Sequence, residues 1–144
     1  MLGQTHNPLL LQTEQQTAAR VPAPLRQAYQ NVVAAGNKFL YAPQTRALVM
    51  RQLSLPGDAA QVAGQGIAKL FGILLHQTQG QLNMQAAIPA MTTLLCEALD
   101  FMEQTGRTQV TADLLARATK EMSAALMQLL GVRPGQLPGL MPGS

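Results

Sequence analysis

The chain has 144 residues, of which 47% are apolar, and its formal net charge is +3. This length is typical of one domain with a substantial core, and the single cysteine excludes an internal disulfide and fits a reducing compartment. No apolar stretch reaches the roughly 20 residues of a membrane span, and residues 1–16 lack the pattern of a signal peptide.

The apolar composition predicts an all-α fold. Ala, Leu and Met supply most of the apolar residues, Trp is absent, and runs of β-branched residues are absent as well. We expect a compact bundle of about five helices, residues 24–132, between extended arms at residues 1–23 and 133–144.

The predicted N-terminal arm is rich in Gln and Thr, a composition that favours a flexible segment. Its one apolar cluster gives the arm a means of binding to its own domain or to a neighbouring subunit: Leu9, Leu10 and Leu11. We assign no role to His6 in this arm.

The first predicted helix opens near Pro24, and Gly36 with Asn37 suggests a C-terminal cap or a short break. Phe39 and Tyr41 follow, with Tyr29 nearby on the predicted helix, and this aromatic concentration is typical of a corner of the core or, alternatively, of an interaction patch.

Pro43 opens the second predicted helix, which is short. Three of its apolar residues are expected to face inward: Leu48, Val49 and Leu53. Arg46 and Arg51 are expected to face water.

The stretch from Asp58 to Gly80 predicts the central helix, with Asp58 as its N-cap. Beside its apolar face runs a row of small residues at i+4 spacing: Ala60, Gly64, Ala68 and Gly72. Because small residues let another backbone approach closely, this row predicts tight packing against a core helix, a neighbouring subunit, or both.

The next helix is expected after Asn83, which is its candidate N-cap, with Pro89 either opening it or lying inside a longer helix from Met84. Its acidic residues recur at i, i+3 and i+6 and predict an acidic outer side: Glu97, Asp100 and Glu103. Thr111 is a good N-cap for the last helix, which continues to Gly131.

The C-terminal residues 134–144 repeat Pro-Gly three times at four-residue spacing, a pattern that excludes a helix. The segment is either a flexible tail or an extended arm that binds a groove on a neighbouring subunit through three apolar side chains: Leu137, Leu140 and Met141.

No pattern of catalytic, metal-binding or cofactor-binding residues is present in the sequence. Cys96 lies on or near an apolar helix face, which predicts a buried thiol, and His76 has no histidine or cysteine within one turn. The sequence therefore predicts a protein that is not an enzyme and has no cofactor.

Two segments, VVAAGNKFLYAPQTRALVMRQL and AQVAGQGIAKLFGILLHQTQGQL, resemble parts of small helical virion proteins of tailed bacteriophages. The resemblance covers roughly residues 25–130 and implies a structural or assembly role in the virion. It also implies a homo-oligomer or contacts with other virion proteins. A protein outside a virion is expected in the cytoplasm.

Two alternatives remain open at the level of sequence. A small helical adaptor or assembly chaperone would bind a client segment with its aromatic corner and Met-rich faces. A nucleic-acid-binding protein would use scattered basic residues: Arg26, Lys38, Arg46, Arg51 and Lys69.

Overall fold

The computed structural model of the chain describes residues 5–130, and the regular structure in this range is helical throughout. The α-helices are α1 Pro8–Arg20, α2 Arg26–Tyr41, α3 Pro43–Leu53, α4 Ala59–Gln77, α5 Met84–Gln104 and α6 Ala112–Leu130, with a 3-10 turn at Ala23–Leu25. The predicted all-α class is confirmed, with six α-helices in this range rather than about five. The predicted C-terminal arm, including Leu137, Leu140 and Met141, lies outside the described residues.

Helix α5, rather than α4, is the centre of the bundle. It contacts α1, α2, α4 and α6, and its buried residues cover most of its circumference from Ala86 to Met102. A helix that is buried on nearly every side must be surrounded by other helices. Pro89 lies inside this helix, which begins at Met84, so the longer of the two predicted helices is the one observed.

Helices α4 and α6 form the most extensive pair in the bundle and run parallel to each other. Gly64 of α4 lies against Ala118 and Met122 of α6, and one pair of turns further along, Gly72 lies against Leu129. Helix α5 makes this possible, since it returns the chain to the end at which α4 began.

Two of the three predicted N-caps are confirmed. The side chains of Asn83 and Thr111 each accept the backbone N–H three residues later, at 3.2 and 3.1 Å. Asp58 occupies the N-cap position of α4 but makes no side-chain cap hydrogen bond. Its carboxylate instead accepts two hydrogen bonds from Arg117 Nη1, at 2.8 and 2.9 Å.

The predicted break at Gly36 and Asn37 is wrong, because α2 continues through both residues to Tyr41. Gly36 is buried where α2 crosses α5, and a Cβ atom there would overlap Cδ1 of Leu94. This glycine therefore permits close approach of two helices and does not end one.

The segment predicted as an extended N-terminal arm contains helix α1, so the structure differs from the prediction there. Asn7 Oδ1 accepts the backbone N–H groups of Leu9 and Leu10, at 2.9 and 3.3 Å, and Pro8 occupies the first helical position. These are strong local start signals, which outweigh the Gln-rich and Thr-rich composition that favoured a flexible arm. Helix α1 packs against α5.

Candidate functional site

A buried polar network lies on the side of α5 that faces the N-terminal segment and α2. Glu97 and Asp100 are only 4% and 5% exposed, so the predicted acidic outer side of this helix is wrong. Glu103 is partly buried. Buried carboxylates require hydrogen-bond partners, and within residues 5–130 no buried side-chain nitrogen or oxygen lacks one.

Asp100 holds the start of α1. Its Oδ1 accepts the backbone N–H groups of His6 and Asn7, at 3.0 and 2.9 Å. Its Oδ2 lies 3.2 Å from Nδ1 of His6, whose side chain is 62% exposed. A carboxylate beside these free backbone N–H groups also interacts favourably with the positive end of the helix dipole.

Glu103 extends this attachment to the start of α6. Its two carboxylate oxygens accept from Nδ2 of Asn7, at 2.9 and 3.1 Å, and Oε2 also accepts the backbone N–H of Val110 at 2.8 Å. One side chain of α5 therefore positions the residues that precede both α1 and α6.

Glu97 is bonded to α2. With the amide of Asn37 oriented so that its nitrogen faces the carboxylate, this nitrogen donates to Oε2 and Oε1 of Glu97 at 2.6 and 3.2 Å. Burial, followed by the nearby charges of Glu14 and Asp100, raises the pKa of Glu97 to about 7.

Two further hydrogen bonds complete the network. The hydroxyl of Thr5 donates to Glu14 Oε2, and burial raises the pKa of the Glu14 carboxyl. The hydroxyls of Tyr29 and Thr93 lie 2.7 Å apart and join α2 to α5. These carboxylates accept hydrogen bonds from groups of the same chain. The network therefore attaches the N-terminal segment and α2 to α5.

Among the residues that the structure describes, no group of three His, Cys, Asp or Glu side chains is arranged to hold a metal ion. Cys96, buried as predicted, lies nearby on α5, and burial raises the pKa of its thiol to about 12. A thiol that stays protonated at neutral pH is a poor nucleophile.

The predicted row of small residues packs within the chain. Ala60, Gly64 and Ala68 are buried, and Gly72 is partly buried. A Cβ atom at Gly64 would lie 2.8 Å from the backbone of α6, and one at Gly72 would lie 3.3 Å from the Leu129 side chain. The close approach that the row predicts is therefore made by α6 of the same chain, which occupies the face offered for a neighbouring subunit.

The three leucines of the predicted N-terminal cluster differ in how deeply they are buried. Leu10 is fully buried in the core of its own chain and Leu9 is partly buried, whereas Leu11 is 41% exposed. The docking that the cluster predicts is thus made, through Leu10, on the chain's own domain.

An apolar groove of about 370 Å³ opens between α3 and α4, and we call it the α3 groove. Its main apolar lining comes from α2, α3, the loop after α3, and α4: Phe39, Leu40, Leu48, Val49, Leu53, Leu55, Ile67, Leu70 and Ile73. Arg51 and Lys69 border it, and Lys69 Nζ donates to Oε1 of Gln52 at 3.0 Å.

Two leucines of the α3 groove face solvent. Leu48 is 57% exposed and Leu55 is 38% exposed, so the prediction that Leu48 faces inward is wrong. Val49 is half-buried and Leu53 is buried, as predicted. The apolar spacing gave the wrong orientation for Leu48 because the apolar residues of α3 lie on more than one face of this short helix. The core covers only one of those faces.

A second, smaller cavity of about 220 Å³ lies on the other side of α3. Tyr41, Arg46 and Met50 line it together with Glu97, whereas Phe39 lines the α3 groove and Tyr29 belongs to the polar network. The three aromatic residues that lie close together in the sequence therefore occupy three different places in the fold: Tyr41 lines the smaller cavity, Phe39 the α3 groove, and Tyr29 the polar network.

The five basic residues considered for nucleic-acid binding are all exposed. Two of them, Arg51 and Lys69, meet at the border of the α3 groove, whereas Arg46 lines the second cavity. The positions of Arg46, Arg51 and Lys69 beside apolar walls are typical of the polar rim of a protein interface.

Within residues 5–130, each helix is too short or too polar to cross a membrane. Comparisons with protein-family models, curated proteins and solved structures find no match to this chain.

Proposed function

We propose that this protein is a non-enzymatic structural component of a larger assembly and that it binds a neighbouring subunit through the α3 groove. The resemblance of its sequence to small helical virion proteins favours a tailed-phage particle as that assembly. The observation that carries the proposal is the exposure of Leu48 and Leu55 beside a continuous apolar groove.

The groove has the composition of a protein interface. An exposed apolar surface next to a concave wall is typical of a binding surface, because its burial in a complex removes apolar area from water. Arg51, Gln52 and Lys69 supply polar groups at its edge, as is usual around the apolar centre of an interface.

Replacing both exposed leucines by Asp tests this proposal. Leu48→Asp with Leu55→Asp should weaken binding to the neighbouring subunit by at least about tenfold, since two charged groups would have to lose water at the interface. The measurement is the dissociation constant for the co-purified partner, with circular dichroism to check that helicity is retained.

Leu129→Asp is the matched control. Leu129 is 50% exposed, as large and apolar as Leu48, but it lies on α6, away from the α3 groove. Equal loss of affinity in the control and the groove variant would show that general surface polarity, rather than the groove, governs binding.

A small adaptor or assembly chaperone is the second candidate. The volume of the groove, about 370 Å³, suits a few apolar side chains of one client segment. This function predicts one-to-one binding to a client protein and absence of the chain from the finished assembly. A structural component instead remains in that assembly at fixed stoichiometry.

A further inference from the structure

The charged residues around the α3 groove carry one sign of charge. Helices α2, α3 and α4, which form most of its wall, contain five Lys or Arg residues and no Asp or Glu. All five are exposed, and two of them, Arg51 and Lys69, line the groove itself. Arg107 lies next to the groove, where its guanidinium donates to the backbone oxygens of Leu53 and Leu55, at 3.2 and 2.6 Å.

The cations beside the groove have no carboxylate partner within the described part of the chain. In residues 5–130, the salt bridges made by Lys and Arg side chains all involve Arg117, on α6. Lys69 is hydrogen-bonded to a neutral group, Oε1 of Gln52, at 3.0 Å. A wholly apolar ligand would remove water from these cations without replacing it, which is unfavourable, whereas carboxylates on the ligand would compensate for that loss.

We infer that the α3 groove binds a segment of a different protein that carries both apolar side chains and carboxylates. The inference rests on the proposed function, in which a neighbouring subunit occupies this groove, and adds the chemistry of that subunit. Apolar side chains of the segment pack on the buried floor of the groove, formed by Leu53, Ile67 and Leu70. Its Asp or Glu side chains face Arg51 and Lys69 at the edge.

The acids of this chain are already engaged, which argues against a second copy as the occupant. All seven lie within the described residues, and four of them belong to the polar network. Two more, Asp58 and Asp113, are bonded to Arg117, at 2.8 and 3.0 Å. Glu121 on α6 is the one left, a single carboxylate for the two cations that line the groove. A different protein therefore matches the groove better than a second copy does.

Two synthetic peptides test the sign of the charge that the groove prefers. Both are amphipathic helices with leucines at i, i+3 and i+7, and they carry either glutamates or lysines beside this stripe. The glutamate peptide should bind the wild-type chain about tenfold more tightly than the lysine peptide, because its carboxylates meet unpaired cations. Fluorescence anisotropy of the labelled peptides gives both dissociation constants, and the difference should decrease as added salt screens the charges.

Reversal of the charge at the groove should reverse this preference. The variant with Arg51→Glu and Lys69→Glu should bind the lysine peptide more tightly than the glutamate peptide. Arg26→Glu with Lys120→Glu is the matched control, since it changes the net charge equally at exposed residues that do not line the groove. The control should keep the wild-type preference, and circular dichroism checks that both variants retain their helicity.

Equal affinity of the wild-type chain for the two peptides, or binding of neither, would overturn the inference. A dimer of the wild-type chain that Leu48→Asp with Leu55→Asp dissociates would overturn it and assign the groove to a second copy. Tighter binding of a single-stranded DNA oligonucleotide than of the glutamate peptide, lost in the charge-reversed variant, would assign the cations to nucleic acid and also overturn it.

The co-purified partner separates failure of this inference from failure of the proposed function. Partner binding that is weakened by Leu48→Asp with Leu55→Asp, but unchanged by Arg51→Glu with Lys69→Glu, supports the proposed function and overturns the inference. A preference for the glutamate peptide in a chain that has no partner in its native state supports the inference and contradicts the proposed function.

Discussion

Gly64 is the residue on which the packing of α4 against α6 depends most directly. A Cβ atom there would lie 2.8 Å from the carbonyl oxygen of Ala118, from Cβ of Glu121 and from the backbone nitrogen of Met122. Two of these atoms belong to the backbone of α6, so the clash cannot be relieved by rotation of a side chain.

Gly64→Ala should therefore lower the free energy of unfolding by about 1–3 kcal/mol, despite the better helix propensity of alanine. Chemical denaturation monitored by circular dichroism measures the change. An unchanged or increased stability would mean that α6 does not approach α4 as closely as the structure places it.

Gly72→Ala is the matched substitution in the same row and the same helix. Its Cβ atom would lie 3.3 Å from the side chain of Leu129, which is half exposed and free to move. We expect a gain of about 0.5 kcal/mol from helix propensity, because little of it is lost to strain. A loss as large as that at Gly64 would show that the two positions are equally constrained.

Helix α1 is attached to the rest of the bundle through polar groups of α5. Asp100 and Glu103 of α5 accept hydrogen bonds from the residues just before α1. The pKa of Glu97 is raised first by its burial and then by the charge of Glu14 within α1. The carboxylates therefore have two opposite effects on stability. They stabilise the fold by accepting hydrogen bonds from N–H groups of the N-terminal segment, and they destabilise it by repelling one another inside the bundle.

The raised pKa of Glu97 gives this region a defined dependence on pH. Below its ordinary pKa of 4.5 the carboxyl is protonated in both folded and unfolded chains, and its contribution to stability is complete. As the pH rises through about 7, the folded carboxyl ionises in a buried site that contains other acids. The contribution is therefore lost as the pH increases.

Glu97→Gln should remove this loss. The variant should be more stable than the wild type by about 2 kcal/mol at about pH 8, and the difference should vanish near about pH 4, where both side chains are neutral. Unfolding by urea at several pH values measures it, and Glu121→Gln on α6, outside the network, is the control. A stability difference that does not vary with pH would contradict the assigned pKa.

The all-α class and the starts of several helices were predicted from the sequence. The caps at Asn83 and Thr111 and the opening proline at Pro43 are local signals, each satisfied within one turn of its own helix. The first helix was missed because the same kind of signal, Asn7 followed by Pro8, stands in a segment with few apolar residues.

Burial was harder to predict, because it depends on which helices surround a face. The spacing of Glu97, Asp100 and Glu103 correctly places them along one side of α5, but sequence alone could not show that His6, Asn7 and Asn37 would supply hydrogen-bond donors there. Charged residues without visible partners are ordinarily assigned to solvent.

The candidate site could be predicted only in part, because it too depends on which helices lie next to each other. The i+4 spacing of the small-residue row predicts close helix packing, which is observed, but spacing does not identify the helix that fills the row. The α3 groove joins residues from α2, α3 and α4, and no local pattern connects Leu48 with Ile73.

The whole molecule, in the residues that the structure describes, is a helical bundle held by contacts within one chain, and under the proposed function its α3 groove binds a partner. The α4–α6 contact and the polar network bind elements of one chain to each other. The exposed apolar wall beside α3 is the surface that assembly would cover.

The mass of the native complex, measured by light scattering with identification of each chain in it, shows whether this protein is a subunit of a larger assembly. The wild-type chain should be found in a complex well above its own 15.4 kDa at fixed stoichiometry, and the variant with Leu48→Asp and Leu55→Asp should be found at the mass of one chain. A wild-type chain that remains at 15.4 kDa without any associated protein would contradict the proposed structural role.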